Sequence, residues 1–264
     1  EVIVFWTKNP EPLIPFLKEL DERGYKYYFQ YTLNGYPKII EPNLPNLNKS
    51  LQTFKKLSDQ IGASRVIWRY DPILLSNSTG IDYHKNQIDT IARELEGNTN
   101  RLVISVVDEY RKATHNFNRL ESSGEKILRK TSEHDVHELM NFIVSTAQLR
   151  KMETFSCAEV LNLNDFGISP GKCIDDVYIQ NVFGIKVRSE KDKSQRLECG
   201  CIRSKDIGAY DTCFHGCLYC YAGTLSAAQK NRQNHFVDSP SFLGRYEKES
   251  PATKDTGNDQ PTLF

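Results

Sequence analysis

The sequence predicts an α/β fold, a full or partial (β/α) barrel with parallel strands, and three observations carry that expectation. Short apolar runs alternate with amphipathic helical stretches through the first two-thirds of the chain, and each unit has about the length of a βα repeat. The apolar runs are also near-continuous rather than alternating, as in sheets covered on both faces. Strands joined by helices cross over right-handedly and pair in parallel. An open doubly wound sheet is the second choice.

Taken in order, Val2–Thr7 (VIVFWT) is the first strand, followed by a helix over about Pro12–Arg23 that stops at Gly24. Tyr25–Leu33 is the next strand, and its run Tyr27-Tyr-Phe-Gln-Tyr31 reads as core packing. After a loop rich in Pro and Asn, helical spacing runs from about Leu47 to Ile61, with Leu51, Phe54, Leu57 and Ile61 on one face. Arg65–Tyr70 is a strand closed by Asp71-Pro72, Tyr83–Leu95 a helix, and Leu102–Val107 a strand. Asp135–Lys151 is a helix, and Thr154–Cys157 is the fifth strand. The first residues read as a strand already under way, without an initial Met, so at least one further strand is expected upstream.

A short helix near Ile174–Phe183 leads into the charged loop Arg188–Arg196, and another helix is expected at about Leu225–Arg232. These features divide the chain into a barrel-like domain over 1–185, a cysteine-rich segment over 186–238 and a polar tail over 239–264.

Lys+Arg and Asp+Glu both count 34, so the net charge is zero. That balance offers no electrostatic case for an anionic membrane, and leaves nucleic acid a partner that charge does not support. No apolar run approaches the roughly 18–20 residues that span a bilayer, and the start lacks the basic region of a signal peptide. A cytoplasmic protein without a membrane partner is expected. Seven cysteines are present, five of them between Cys199 and Cys220. Without an export signal, such crowding points to metal ligands rather than a disulfide framework.

The core of that segment is Cys213-x3-Cys217-x2-Cys220. Three thiolates at these offsets can wrap one loop around a [4Fe–4S] cube and leave one iron without a protein ligand. Gly216 suits the tight bend. The competing reading is a structural zinc site completed by Cys199, Cys201 or His215. Cys199-Gly-Cys201 is also a candidate second metal site, with Cys157 and Cys173; otherwise these are unconnected thiols, the latter two packed as small hydrophobes. His134 and His137 are read as a solvated helix start rather than a metal pair.

Polar residues fall at the C-terminal ends of the strands: Lys8, Asn9, Gln30, Thr32, Arg69, Asp71 and Asp108. In a barrel, catalytic groups come from that rim, so Arg69, Asp71 and Asp108 are the catalytic candidates. Arg69 and Asp71 share parity on their strand. They form either a clamp for a carboxylate or phosphate group or a structural salt bridge.

The stretch Thr-Cys213-Phe-His-Gly-Cys217-Leu-Tyr-Cys220-Tyr-Ala resembles the radical S-adenosylmethionine signature, in particular the branch near spore photoproduct lyase. The chain as a whole resembles a bacterial family of unknown function that ends in such a cysteine cluster, through Phe5-Trp-Thr-Lys-Asn-Pro10 and Trp68-Arg-Tyr-Asp-Pro72. The first resemblance implies a [4Fe–4S] cluster on Cys213, Cys217 and Cys220, with the open iron holding S-adenosylmethionine. It implies Tyr219 against the adenine, reductive cleavage to a 5′-deoxyadenosyl radical, and an electron donor such as ferredoxin or flavodoxin. The substrate stays unassigned. A non-catalytic metal or electron-transfer module is the alternative from another class.

Overall fold

Six strands form one sheet: β1 (Val2–Thr7), β2 (Lys26–Thr32), β3 (Val66–Ile73), β4 (Arg101–Val106), β5 (Glu153–Cys157) and β6 (Ser169–Gly171). The computed structural model describes residues 1–107, 111–122, 124–128, 132–159 and 162–245. All five neighbouring pairs are parallel, and the strand order follows the sequence without reversal. The helices are α1 (Leu17–Glu22), α2 (Leu47–Ile61), α3 (Ile81–Glu94), α4 (Arg111–Ser122), α5 (Glu133–Leu149), α6 (Asp176–Phe183) and α7 (Leu225–Arg232). The chain is therefore an α/β protein with a parallel sheet.

Alternation along the strands sorts side chains onto two faces. Tyr27, Phe29 and Tyr31 of β2, Trp68 and Tyr70 of β3, and Leu102 and Ile104 of β4 share a core with Leu51, Phe54 and Leu57 of α2, Ile88 and Ile91 of α3, and Ile143 of α5. Each such aliphatic or aromatic side chain contributes about 1.5–3 kcal/mol by leaving water. Helix α2 begins where the Asn46 side chain accepts from the Lys49 N–H at 2.9 Å, which satisfies one of the donors left open at a helix start. Helix α1 ends at Gly24, whose φ of 77° is the left-handed conformation that glycine adopts without a Cβ clash.

The opposite face carries Tyr28, Ile67 and Val103. It is covered by the chain that follows β6: Ile174, Tyr178, Ile179 and Phe183, then Ile185, Val187 and Ile202, pack against these residues. Asp175 anchors this cover. Its carboxylate caps α6 by accepting from the N–H groups of Val177 and Tyr178, and it pairs with the buried Arg101 at 3.0 Å. The Arg101 guanidinium lies 3.7 Å from the Phe155 ring centroid.

Several elements differ from the expectation. Strand β3 does not close at Asp71-Pro72 but passes through that cis peptide to Ile73, with a register shift between Tyr70 and Ile73. Among the described residues there are six strands rather than five: β6 is three residues long, Ser-Pro-Gly, and has no apolar run to announce it. Helix α4 was also not expected, because its stretch is polar and buries Phe117 and Leu120. Asp108 lies outside the described residues, as does the tail beyond 245.

The chain divides into two units. One comprises 1–206 with 215–221, and the other 207–214 with 222–264. In the second unit the Asp211 N–H donates to the Ala222 carbonyl at 3.0 Å, and the Asp211 carboxylate accepts from the Thr224 N–H at 3.1 Å. Thr224 caps α7 in turn. Among the described residues, no helix is long and apolar enough to cross a membrane.

Candidate functional site

The polar residues of the sheet's second face gather toward the C-terminal ends of the strands. Above Tyr28, Ile67 and Val103, the same parity brings Gln30 of β2, Arg69 and Asp71 of β3, Ser105 of β4 and Cys157 of β5. Arg69 is only 4% exposed. Its Nε donates to Asp71 Oδ2 at 2.8 Å and a terminal nitrogen reaches the same oxygen. The other terminal nitrogen donates to Gln30 Oε1 at 3.3 Å and to the Cys173 sulfur at 2.9 Å. The second Asp71 oxygen accepts from the Ser105 hydroxyl. Burial pushes the Asp71 carboxyl up, but the Arg69 charge and the Ser105 and Arg69 hydrogen bonds outweigh it and hold it below its ordinary value.

Of the two readings of this pair, the geometry is that of an internal salt bridge. The Arg69 donors are taken by Asp71, Gln30 and thiols of the chain itself, so the fork is not open toward an external carboxylate or phosphate.

Four cysteines lie along this edge, and two of them touch. Cys157 ends β5 opposite Gly171 of β6, and Cys173 follows two residues later. Their sulfurs are 3.3 Å apart. The Cys201 sulfur accepts from the backbone N–H groups of Cys173 at 3.2 Å and Ile174 at 3.4 Å. Cys199 flanks Gly200, which lies beside Lys172 and the Gly171 carbonyl. The hydrogen bond to Cys173, followed by burial, raises the Cys157 thiol well above its ordinary value. The hydrogen bond from Cys173 lowers the Cys201 thiol despite its burial. The seven cysteines carry thiols, none of them in a disulfide. A cavity of about 140 Å³ opens beside this edge, lined by Ser156, Glu159, Gly171 and Glu198 among others.

The second thiol set lies in the C-terminal motif. Cys217 is buried and Cys220 half-buried, and the Cys220 N–H donates to the Cys217 carbonyl at 3.1 Å in a tight turn. Gly216 has a φ of 66°, as the expected bend requires. The turn is fixed to the sheet edge: the Leu218 N–H donates to the Ile40 carbonyl at 3.0 Å, and Cys217 and Tyr219 pack with Tyr36, Ile40 and Leu74. Cys213 belongs to the second unit, where it is exposed.

Tyr219 is 7% exposed. Its hydroxyl donates to Glu41 and accepts from Asn34 Nδ2 at 3.3 Å, while Lys8 Nζ lies 5.2 Å from its ring centroid and 3.1 Å from Glu41. Tyr36 meets the ring edge-on at 6.0 Å. The ring is thus enclosed by protein, and its hydrogen-bonded hydroxyl fixes the turn between Cys217 and Cys220. Lys8, Asn34 and Glu41 also line a cavity of about 230 Å³ at the ends of β1 and β2.

Sequence reading singled out Lys8 but not its partners Asn34 and Glu41. Those two sit in the loop after β2, where only tertiary contact shows their role. His215 is half-buried, and burial followed by the Lys8 charge lowers its pKa. His134 is exposed at the start of α5; with Asp135 and Glu138 it offers ligand atoms within 4.8 Å of one another. This is a solvated helix start of the kind expected.

Fold and site together define a cysteine-rich α/β protein with thiols at the C-terminal edge of a parallel sheet. The chain belongs to the family described as a domain of unknown function, DUF1848, whose model matches residues 1–222 and so takes in all six strands and all seven cysteines. No curated protein matches the chain.

Proposed function

We propose that this chain is an iron–sulfur protein on a full or partial (β/α)-barrel scaffold, with Cys213, Cys217 and Cys220 as the three protein ligands of a [4Fe–4S] cluster. The observation that carries the reading is the C-x3-C-x2-C spacing, with thiols rather than disulfides at all three positions. Soft thiolates suit iron–sulfur ligation, and three of them leave one iron open to a chelating ligand such as S-adenosylmethionine. The sequential order of parallel strands is what a barrel or barrel segment requires, and it supports that scaffold.

Bound there, the cluster would supply an electron for reductive cleavage of S-adenosylmethionine. The chain's own residues supply position. Tyr219, through Glu41, Lys8 and Asn34, holds the turn between Cys217 and Cys220, and the Leu218 N–H ties that turn to Ile40. Arg69 and Asp71 act as positioning residues beneath the rim. An external one-electron donor, a ferredoxin or flavodoxin, completes the reading.

One observation favours the second reading, a centre that relays electrons or only stiffens the fold: Tyr219 is enclosed by protein, which removes the ring expected to face an adenine. The experiment separates the two. Protein prepared without oxygen is expected to be brown, with about four iron and four sulfide per three-cysteine site, and Cys217→Ser should abolish that loading. Colourless protein holding zinc at these cysteines would overturn the cluster. Dithionite with S-adenosylmethionine should then release 5′-deoxyadenosine from the loaded full chain; intact S-adenosylmethionine would favour the relay.

A further inference from the structure

The four thiols at the ends of β5 and β6 are independent of that motif, and three features of their geometry point to a ligand. First, the Cys157 and Cys173 sulfurs, at 3.3 Å, are far beyond a disulfide bond of about 2.05 Å. They are slightly inside the roughly 3.7 Å that separates two thiolates on one tetrahedral ion with metal–sulfur bonds near 2.3 Å. Second, the Cys201 sulfur accepts two backbone N–H bonds, from Cys173 and Ile174. Such donors stabilise a thiolate and orient it, as outer-shell hydrogen bonds do around metal ligands. Third, the Arg69 guanidinium is buried against the Cys173 sulfur at 2.9 Å, which places a positive charge beside the thiols where a metal–thiolate unit would carry negative charge.

The backbone builds this arrangement from distant segments. The register of β5 on β6 brings Cys157 to Cys173. The Ile202 N–H donates to the Ile174 carbonyl at 3.1 Å and carries Cys201 to the same place; Lys191 pairs with Ile202 from the other side. Cys199 arrives two residues before Cys201, on the far side of Gly200, which lies beside Lys172 and the Gly171 carbonyl. Four cysteines from three segments, 16 to 44 residues apart, therefore converge on one edge.

We propose that Cys157, Cys173, Cys199 and Cys201 form a second metal centre, a four-thiolate site for a thiophilic metal, either a zinc ion or an iron–sulfur unit. The sulfurs run in the order Cys157, Cys173, Cys201, Cys199 rather than as a closed tetrahedron: no three of these thiols lie within 4.8 Å of one another. Metal uptake closes the set and releases the thiol protons to solvent, with no change in oxidation state of the sulfur. Zinc makes the site structural, a clamp joining β5, β6 and the chain that covers the sheet. An iron–sulfur unit makes it a second redox centre on the same rim.

The test uses the full chain with the motif disabled. Cys213→Ser/Cys217→Ser/Cys220→Ser protein, reconstituted without oxygen, should retain about one metal centre per chain, and further substitution Cys173→Ser should remove it. Zinc without sulfide identifies the single-ion form, and iron with equimolar sulfide the cluster form; either supports the site. A triple variant that holds no metal, while the unaltered chain holds a centre, would overturn this inference and leave the motif's cluster standing. Metal lost only through Cys173→Ser would sustain it and overturn the motif's cluster instead. Folding of the variants is bypassed by a measurement on the unaltered chain. Native alkylation of the half-buried Cys199, mapped by mass spectrometry, should be slow before chelation and faster after it. Equal rates before and after count against a metal at these thiols.

Discussion

Arg69 and His84 are both buried, and they meet burial in opposite ways. Arg69 keeps its charge because Asp71 is placed two residues along the same strand and the same face. His84 gives its charge up. The Tyr70 hydroxyl donates to its Nδ1 at 2.7 Å, and Nε2–H donates to the Leu74 carbonyl at 3.1 Å, so both nitrogens are satisfied by a neutral ring. Burial, outweighing the backbone hydrogen bonds, brings its pKa down to about 4. A histidine depressed in this way is neutral in the fold, while the unfolded chain takes up a proton near pH 6.5. The unfolded state therefore binds more protons between pH 6.5 and 4. The stabilisation is complete above that window and is lost as pH falls through it. Urea unfolding should show stability about 2 kcal/mol lower at pH 4.5 than at pH 7 through this residue alone. His84→Gln should flatten that difference relative to the unaltered chain; an unchanged slope would mean the ring is not the group responsible.

Helix α6 stands at the next scale, and its hold on the sheet rests on Asp175, which does two jobs. It caps the helix through two N–H bonds, and it neutralises Arg101. Asp175→Asn keeps an acceptor for the cap and loses the charge. Asp175→Ala loses both, and either variant leaves the Arg101 guanidinium buried without a counter-ion. Both variants should be destabilised by about 3–5 kcal/mol, the asparagine variant by about 1 kcal/mol less, since uncompensated burial of a charge dominates over a cap worth about 1 kcal/mol. Hydrogen exchange at the Val177 and Tyr178 amides should accelerate more in the alanine variant; equal effects would deny the cap its role, and an asparagine variant as stable as the unaltered chain would deny the ion pair its role.

What could be read from the sequence follows the same division. Five strands and most helices were legible because each is a local apolar pattern, and α7 falls on the expected residues Leu225–Arg232. Strand β6 was not, because Ser-Pro-Gly owes its pairing to β5 rather than to its own composition. The packing of 174–202 over the sheet was not legible either: its helix α6 was expected, but nothing local says which face of the sheet it covers. The same holds at the thiols. The C-terminal motif shows in its spacing, whereas the approach of Cys157 and Cys173 to Cys201 depends on strand register and could only be entertained.

At the scale of the whole molecule, charge balance becomes a measuring device. The net charge is zero and the isoelectric point about 7.2 with every thiol protonated. A [4Fe–4S] core held by three thiolates carries a net charge of roughly −1 or −2 depending on its redox state, and zinc held by four thiolates roughly −2. Loading both sites adds roughly three to four negative charges and should therefore shift the protein to the acid side on native isoelectric focusing without oxygen. Chelation with reductant should return it to near neutrality. Loading only one site should give about half the shift, and Cys217→Ser and Cys173→Ser should each remove one part of it. Coincident bands for loaded and stripped protein would mean that neither thiol set gives up its protons to a metal.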